Sequence, residues 1–242
     1  MAMTKLLRRI ARRNKTCAAV IVAAGSATRM NGTDKIMATL GGQPVIAHTI
    51  AAFQNCDAID TIVVVTRQEL CGEISQLCVQ KRFSKVTAVV RGGDSRMESV
   101  RLGLDRLAGK CGLVAIHDGA RPLITSKVIS DTVRKAAKFG AAAPAVPVKD
   151  TIKVAHGGVV ESTPERSSLY AVQTPQVFDY DTYRAALQNA VEKALPITDD
   201  CSAAEQFGLN VVITQGSEEN LKITTPSDLK LAETILAGRA EP

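Results

Sequence analysis

Ala18-Ala19-Val20-Ile21-Val22-Ala23-Ala24-Gly25 runs into Ser26-Ala27-Thr28-Arg29-Met30 and, six positions after the arginine, Lys35. The apolar run from 18 to 24 has no polar interruption, so it reads as a strand buried on both faces. It ends in small residues. Gly25 tolerates φ > 0 and lets the backbone come close to a ligand, and small side chains leave loop N–H groups open to an anion. Arg29 and Lys35 then stand where a polyphosphate would lie. This is the form of a nucleoside-triphosphate loop. It is not a P-loop, because no G-x-x-x-x-G-K-[ST] occurs, and no G-x-G-x-x-G follows the strand. A plain strand-to-helix turn with surface cations is the alternative that the loop alone leaves open.

Beyond this stretch the same strand signature recurs, with helical patterns between. Strands are expected at 18–24, 61–66, 86–90, 113–117, 142–146 and 211–214. Helices are expected at 44–54, 69–81, 96–107, 126–139, 181–193, 200–207 and 226–236. Strand alternating with helix predicts an α/β fold, a Rossmann-like, mostly parallel sheet with helices on both faces. Thr225-Pro226-Ser227-Asp228 supplies a capping hydroxyl, a proline at the first helical position and an acid in the first turn. Gly140 is a plausible helix stop. The alternation breaks at 150–174. There His156-Gly157-Gly158 separates two short alternating segments, the mark of a β-hairpin. No helix covers it, so it is expected to protrude as an arm that either reaches a second subunit or lies on its own domain.

The chain has 242 residues and a formal net charge of +6, enough for one substantial domain. The expected organisation is a basic tail at 1–16 and one domain at 17–242, with 150–174 as the arm. The tail, with Lys5, Arg8, Arg9, Arg12, Arg13 and Lys15, has no apolar segment of the signal-peptide type, and no 18-residue apolar run occurs. No membrane segment is therefore expected. The positive charge suits an anionic substrate or a nucleic acid. Nucleic acid is disfavoured because there is no tryptophan and only 3% of residues are aromatic. Six cysteines at 17, 56, 71, 78, 111 and 201 form no C-x-x-C pair and no zinc-ligand spacing. They read as free thiols in a reducing cytoplasm.

Three further clusters follow expected strands or precede a helix. Gly92-Gly93-Asp94-Ser95-Arg96-Met97-Glu98-Ser99 opens a helix at a strand's carboxyl end, where α/β sheets bind ligands. Ser99, one turn in, can meet a base edge or ribose; a simple helix cap at Asp94 or Ser95 is the alternative. His117-Asp118-Gly119-Ala120-Arg121-Pro122 sets an acid beside an arginine, suited to a phosphate, a sugar hydroxyl or Mg²⁺, or to a structural ion pair. Asn220-Leu221-Lys222-Ile223-Thr224-Thr225-Pro226 places one lysine just before the capped last helix.

The order of these clusters resembles the isoprenoid-pathway cytidylyltransferases, the 2-C-methyl-D-erythritol 4-phosphate cytidylyltransferase family. The likeness runs from about Cys17 to Ala237 and includes Asp150-Thr151-Ile152-Lys153, Arg166, Gln173-Thr174-Pro175-Gln176 and Thr198-Asp199-Asp200. The resemblance implies a reaction of CTP with a polyol phosphate to give a CDP-polyol and pyrophosphate. A phosphate monoester, with a second pKa of about 6, is already the nucleophile near neutral pH, so positioning and charge neutralisation are the enzyme's task. Arg29, Lys35 and Lys222 suit the α-phosphate and the leaving pyrophosphate. Ala23, Ala24 and Gly25 with Gly93, Asp94 and Ser99 would hold cytidine. By resemblance, Asp118, Gly119, Arg121, Thr151 and Thr174 surround the polyol phosphate, and Arg166 on the arm grips it in a partner subunit's site within a homodimer. Mg²⁺ is expected on the CTP phosphates, with no protein metal ligands. Ribitol 5-phosphate or another polyol phosphate is a rival acceptor. UDP- or GDP-sugar synthesis is a rival activity, and a non-catalytic basic nucleotide- or RNA-binding module is a rival of another class.

Overall fold

The computed structural model describes residues 16–25, 34–107 and 111–240. In chain order the strands and helices are β1 (Cys17–Ala23), β2 (Thr39–Leu40), β3 (Gln43–Pro44), α1 (Val45–Gln54), β4 (Thr61–Thr66), α2 (Cys71–Gln80), β5 (Val86–Arg91), α3 (Arg96–Leu107), β6 (Leu113–Asp118) and α4 (Ser126–Phe139). They continue with β7 (Ala141–Pro147), β8 (Val154–His156), β9 (Val159–Ser162), β10 (Tyr170–Val172), β11 (Gln176–Asp179), α5 (Tyr180–Glu192), α6 (Asp200–Gln206), β12 (Val212–Gln215) and α7 (Pro226–Ala240). The expected elements recur within a few residues at each end. The sequence pattern does not announce β2, β3, β10 or β11.

The uninterrupted apolar character of β1 has a direct structural cause. β1 lies between β4 and β6, parallel to both, with Ala18 opposite Thr61 and Cys17 opposite Leu113. Successive side chains enter opposite faces of the sheet. Ala19 and Ile21 of β1, Ile62 and Val64 of β4, and Ala115 of β6 pack with Ile46, Ile50 and Phe53 of α1, Ile74 of α2 and Ile129 of α4. Ala18 and Val20 of β1, Val63 and Val65 of β4, and Val114 and Ile116 of β6 pack with Val100 and Leu104 of α3, Tyr183 and Leu187 of α5, and Cys201 of α6. The helices thus cover both faces, each face taking every second strand residue. A smaller cluster of Leu40, Val45, Leu123, Ile223 and Ala232 seats α7.

β5, β4, β1 and β6 run parallel, and β11 is inserted antiparallel between β6 and β7. Ala142 pairs with Val177 on one side and Val212 on the other, and Ala145 pairs with Val172 and Gln215. β10 and β11 therefore run one after the other along one side of β7, and β12 takes the other side. α4 begins with the Thr125 hydroxyl accepting from the Val128 N–H, and it ends, at the stop its sequence predicts, on Gly140 in the left-handed region.

β8 and β9 form a separate antiparallel pair, turned by Gly157 (φ +58°) and Gly158 (φ +83°), the twin positive angles of a tight hairpin turn. Every residue of both strands is exposed. The portion that stands off the main sheet is narrower than 150–174, because Tyr170–Val172 pairs with β7 and Gln173 and Thr174 are buried.

Candidate active site

From β1 the chain moves outward to β4 and β5, then returns to the other flank of β1 with β6. The strand order therefore reverses between β1 and β6, and that is where an open α/β sheet forms a crevice at its carboxyl edge. A cleft of about 390 Å³ lies there. Its walls include Ala23 from the end of β1, Ala24, Gly25 and Lys35 from the first loop, Gly93 and Asp94 from the second, Arg96 and Ser99 from the start of α3, Asp118 from β6, and Lys222 from before α7.

The first two loops touch through a missing side chain. A Cβ on Gly92 would stand 2.5 Å from the Ala24 Cβ and 2.7 Å from the Ser99 Oγ, so only glycine permits this approach. The second loop is shaped by its own helix. The Ser95 hydroxyl accepts from the Glu98 N–H at 3.0 Å, Glu98 accepts from the Asp94 N–H at 2.9 Å, and the buried Ser99 Oγ accepts from the Gly93 N–H at 3.1 Å. Ser95 rather than Asp94 thus caps α3, and Ser99 acts on the loop backbone.

Asp118 is the electrostatic centre. It is buried, and its carboxylate meets Lys222 Nζ at 2.9 Å, Arg121 Nε at 3.5 Å and an Arg96 nitrogen at 3.7 Å. Burial pushes the carboxyl pKa up, but Lys222 and Arg96, with Arg121, more than reverse it and hold it at about 2. Arg96 also reaches Asp200 at 2.6 Å, whose other oxygen accepts from the Tyr183 hydroxyl at 2.6 Å. Behind Asp118 lies a neutral brace. Burial pushes His117 down to about 3, outweighing the opposing pull of Asp118. Its Nε2 faces the Arg121 carbonyl at 3.3 Å and its Nδ1 faces the Thr174 hydroxyl at 2.9 Å. A carbonyl only accepts, so Nε2 carries the proton and Thr174 donates to Nδ1. Thr174 Oγ1 in turn accepts from the Asp118 N–H at 3.1 Å. Arg121 is tied to the Asn220 carbonyl at 2.6 Å, and the Asn220 amide donates to the Gln173 side chain and the Thr174 carbonyl.

The cleft therefore gathers Ala23, Ala24, Gly25, Lys35, Gly93, Asp94, Ser99, Asp118 and Lys222. Gly119 sits beneath, its N–H bonded to the Val22 carbonyl, and Arg121 backs Asp118. Thr174 is buried behind the cleft wall as a brace. Thr151 and Arg166 are exposed on the arm and are not among the cleft-lining residues; an Arg166 nitrogen bonds the Lys149 carbonyl at 3.1 Å. Arg29 lies outside the described residues. Sequence reasoning missed the part played by Arg96 and Asp200. Arg96 belongs to the second cluster, but Asp200 lies 104 positions away, and no local pattern pairs them. It also missed His117 and Asn220 as braces, although both sit inside the quoted clusters.

The chain is similar to known proteins over most of its length. The family model IspD, 2-C-methyl-D-erythritol 4-phosphate cytidylyltransferase, matches residues 17–238. The 2-C-methyl-D-erythritol 4-phosphate cytidylyltransferase of Desulforamulus reducens is 47% identical over 227 residues, covering 91% of this chain and 96% of the relative. That of Halalkalibacterium halodurans is 46% identical, with the same coverage. Among solved structures, 4-diphosphocytidyl-2C-methyl-D-erythritol synthase from Anaerococcus prevotii superposes with a TM-score of 0.83 at 30% identity, covering 93% of this chain and 97% of that one.

Proposed function

The chain belongs to the 2-C-methyl-D-erythritol 4-phosphate cytidylyltransferase family, and from that premise we infer how its cleft is used. It is a nucleotidyltransferase that moves the cytidylyl group of CTP onto 2-C-methyl-D-erythritol 4-phosphate in isoprenoid precursor synthesis. The observation that carries the residue assignment is the convergence of Lys35 and Lys222, nearly 190 positions apart in sequence (222 − 35 = 187), on one cleft beside Asp118. CTP lies with cytidine against 23–25 and 93–99 and its α-phosphate between the two lysines. Asp118 holds Lys222 and Arg96 ready, and an incoming phosphate exchanges for part of that pairing. The polyol phosphate approaches from the Asp118, Gly119 and Arg121 side.

Mg²⁺ fits as a passenger of the triphosphate. Among the described residues no three His, Cys, Asp or Glu side chains converge to cage a metal, and Asp94 and Asp118 are the cleft-lining carboxylates that would supply a protein oxygen. When bound, the ion neutralises charge on the phosphate oxygens.

The arm is read as a dimer element. Val159 and Val160 stand 69% and 55% exposed, and Thr151 and Arg166 ride on a segment that does not line its own chain's cleft. In this reading they complete the site of a second copy. Six free cysteines, five of them buried, suit a reducing cytoplasm, and no helix among the described residues is long and apolar enough to cross a membrane.

Pyrophosphate release tests the whole reading, with CTP, UTP, ATP and GTP crossed against 2-C-methyl-D-erythritol 4-phosphate and ribitol 5-phosphate. CTP with the methylerythritol phosphate should be the productive pair. UTP should lose about tenfold to over a hundredfold, because a carbonyl replaces the cytosine amino donor and leaves a buried group mispaired. Equal turnover with UTP sinks the base pocket, and faster turnover with ribitol 5-phosphate reassigns the acceptor.

A further inference from the structure

We propose that Arg67 is a positioning residue for the nucleotide, clasping the two ends of the loop that leaves β1. The proposal rests on the reading of the cleft as a CTP site. Ala23 pairs with Thr66 across the β1–β4 ladder, so Arg67 emerges beside the point where the first loop departs. Its guanidinium reaches in three directions. One nitrogen donates to the Gly25 carbonyl at 3.1 Å. Another is paired with the Asp34 carboxylate. Nε donates to Glu69 at 2.7 Å, which steadies the fork from the outside.

Gly25 and Asp34 are the described residues on either side of 26–33. Both neighbours of the clasp matter to the cleft, since Gly25 and Lys35 line it. Asp34 organises the turn that carries Lys35. Its other carboxylate oxygen accepts from the Ile36 N–H at 2.9 Å, and its carbonyl accepts from the Ala38 N–H at 2.7 Å. Arg67 and Asp34 are only 23% and 22% exposed, so the pair is partly shielded from solvent screening. A planar fork can hold a carbonyl, a carboxylate and a third acceptor at fixed angles. A lysine at this position is a point charge without that geometry. Nothing in the local sequence announces Arg67, because no glycine or motif surrounds it.

The test uses the full chain, with Mg·CTP titrated calorimetrically and KM measured for each substrate. Arg67→Ala should weaken CTP binding and raise its KM by about tenfold, while KM for the polyol phosphate stays within about twofold, a split that general loosening would not produce. Arg67→Lys should stay close to Arg67→Ala. Asp34→Asn keeps an acceptor for the Ile36 N–H but loses the charge, so it should move CTP affinity in the same direction even if Arg67→Ala folds poorly. The exchanged pair Asp34→Arg with Arg67→Asp should recover part of the loss of Arg67→Ala. A wild-type chain that does not bind Mg·CTP overturns the cleft reading itself. A wild type that binds, with Arg67→Ala and Asp34→Asn binding equally well, overturns the clasp alone.

Discussion

The cleft rim and the hairpin arm belong to one chain but solve opposite problems. At the rim, strong charges find partners within the molecule: Asp118 meets Lys222, Arg96 and Arg121, and Asp200 meets Arg96 and Tyr183. The arm leaves all seven residues of its two strands exposed, two adjacent valines among them. An isolated two-stranded hairpin is marginal in water. On the reading proposed above, the rim is prepared by its own fold to receive a ligand and the arm to receive protein. On the proposed reading, the acceptor phosphate is held where the two meet.

The hardest test of the rim is removal of its convergent cations. Lys35→Ala and Lys222→Ala should each lower kcat by about a hundredfold to a thousandfold, the scale of about 2.7–4 kcal/mol for a donor aimed at transition-state charge. KM for the polyol phosphate should move much less. Near-normal kcat in either variant makes that lysine a surface cation.

The arm is tested by complementation. Arg166→Ala and Lys222→Ala homodimers should both be nearly inactive. In a mixed dimer one site loses both groups, while the other keeps Lys222 from one chain and Arg166 from its partner. Random pairing makes about half the dimers mixed, each with one intact site, so activity should return to about a quarter of wild type. Heterodimers that form without recovery would place Arg166 in its own subunit's chemistry or in none. A chain that stays monomeric removes the contrast between rim and arm.

The same contrast explains what could be read from sequence. β1, β4, α3 and α4 carry uninterrupted apolar or period-3.6 patterns, and their bounds follow closely. β11 is only four residues, Gln176–Asp179. It begins with a buried glutamine held by the Cys201 N–H and by Asp199, partners more than twenty positions away, so no local pattern reveals it. β10 is a fully exposed strand next to β7 and has no buried face to write a period into its sequence. In the site, glycine-rich turns and strand ends were legible because backbone geometry demands particular residues there. Arg96 with Asp200, Arg67 with Asp34, and His117 with Thr174 were not, because each depends on which elements become neighbours in space.

Acid should disturb the rim through His117 and Asp118. An unfolded histidine takes a proton below about pH 6.5, whereas buried His117 resists until about 3. Between those values the unfolded chain binds more protons, so stability falls as pH falls. Asp118, held at about 2, adds a second loss below about pH 4, the ordinary carboxylate range, as it too must finally be protonated. His117→Asn removes the first titrating group. Its melting temperature should vary less between pH 6.5 and 3 than that of wild type, whatever its absolute stability. An unchanged slope would assign the acid sensitivity elsewhere.

The smallest expected effect separates the two regions by glycine substitution. Gly92→Ala drives a methyl to within 2.5 Å of the Ala24 side chain, inside the packed rim. Overpacking of about 1–3 kcal/mol should lower the melting temperature by several degrees. Gly158→Ala meets no atom within 4 Å, but φ +83° is costly for any residue with a Cβ, by about 1–2 kcal/mol. That cost falls on a hairpin whose two strands are exposed along their whole length. Measured at a dilution where the chain is monomeric, Gly158→Ala should therefore shift the melting temperature by less than about 1 °C, because the hairpin can open without unfolding the sheet. At concentrations where copies associate, the same substitution should weaken association. A drop in the monomer comparable to that of Gly92→Ala would show that the arm melts together with the rim, and the division between a self-satisfied site and an unsatisfied arm would fail.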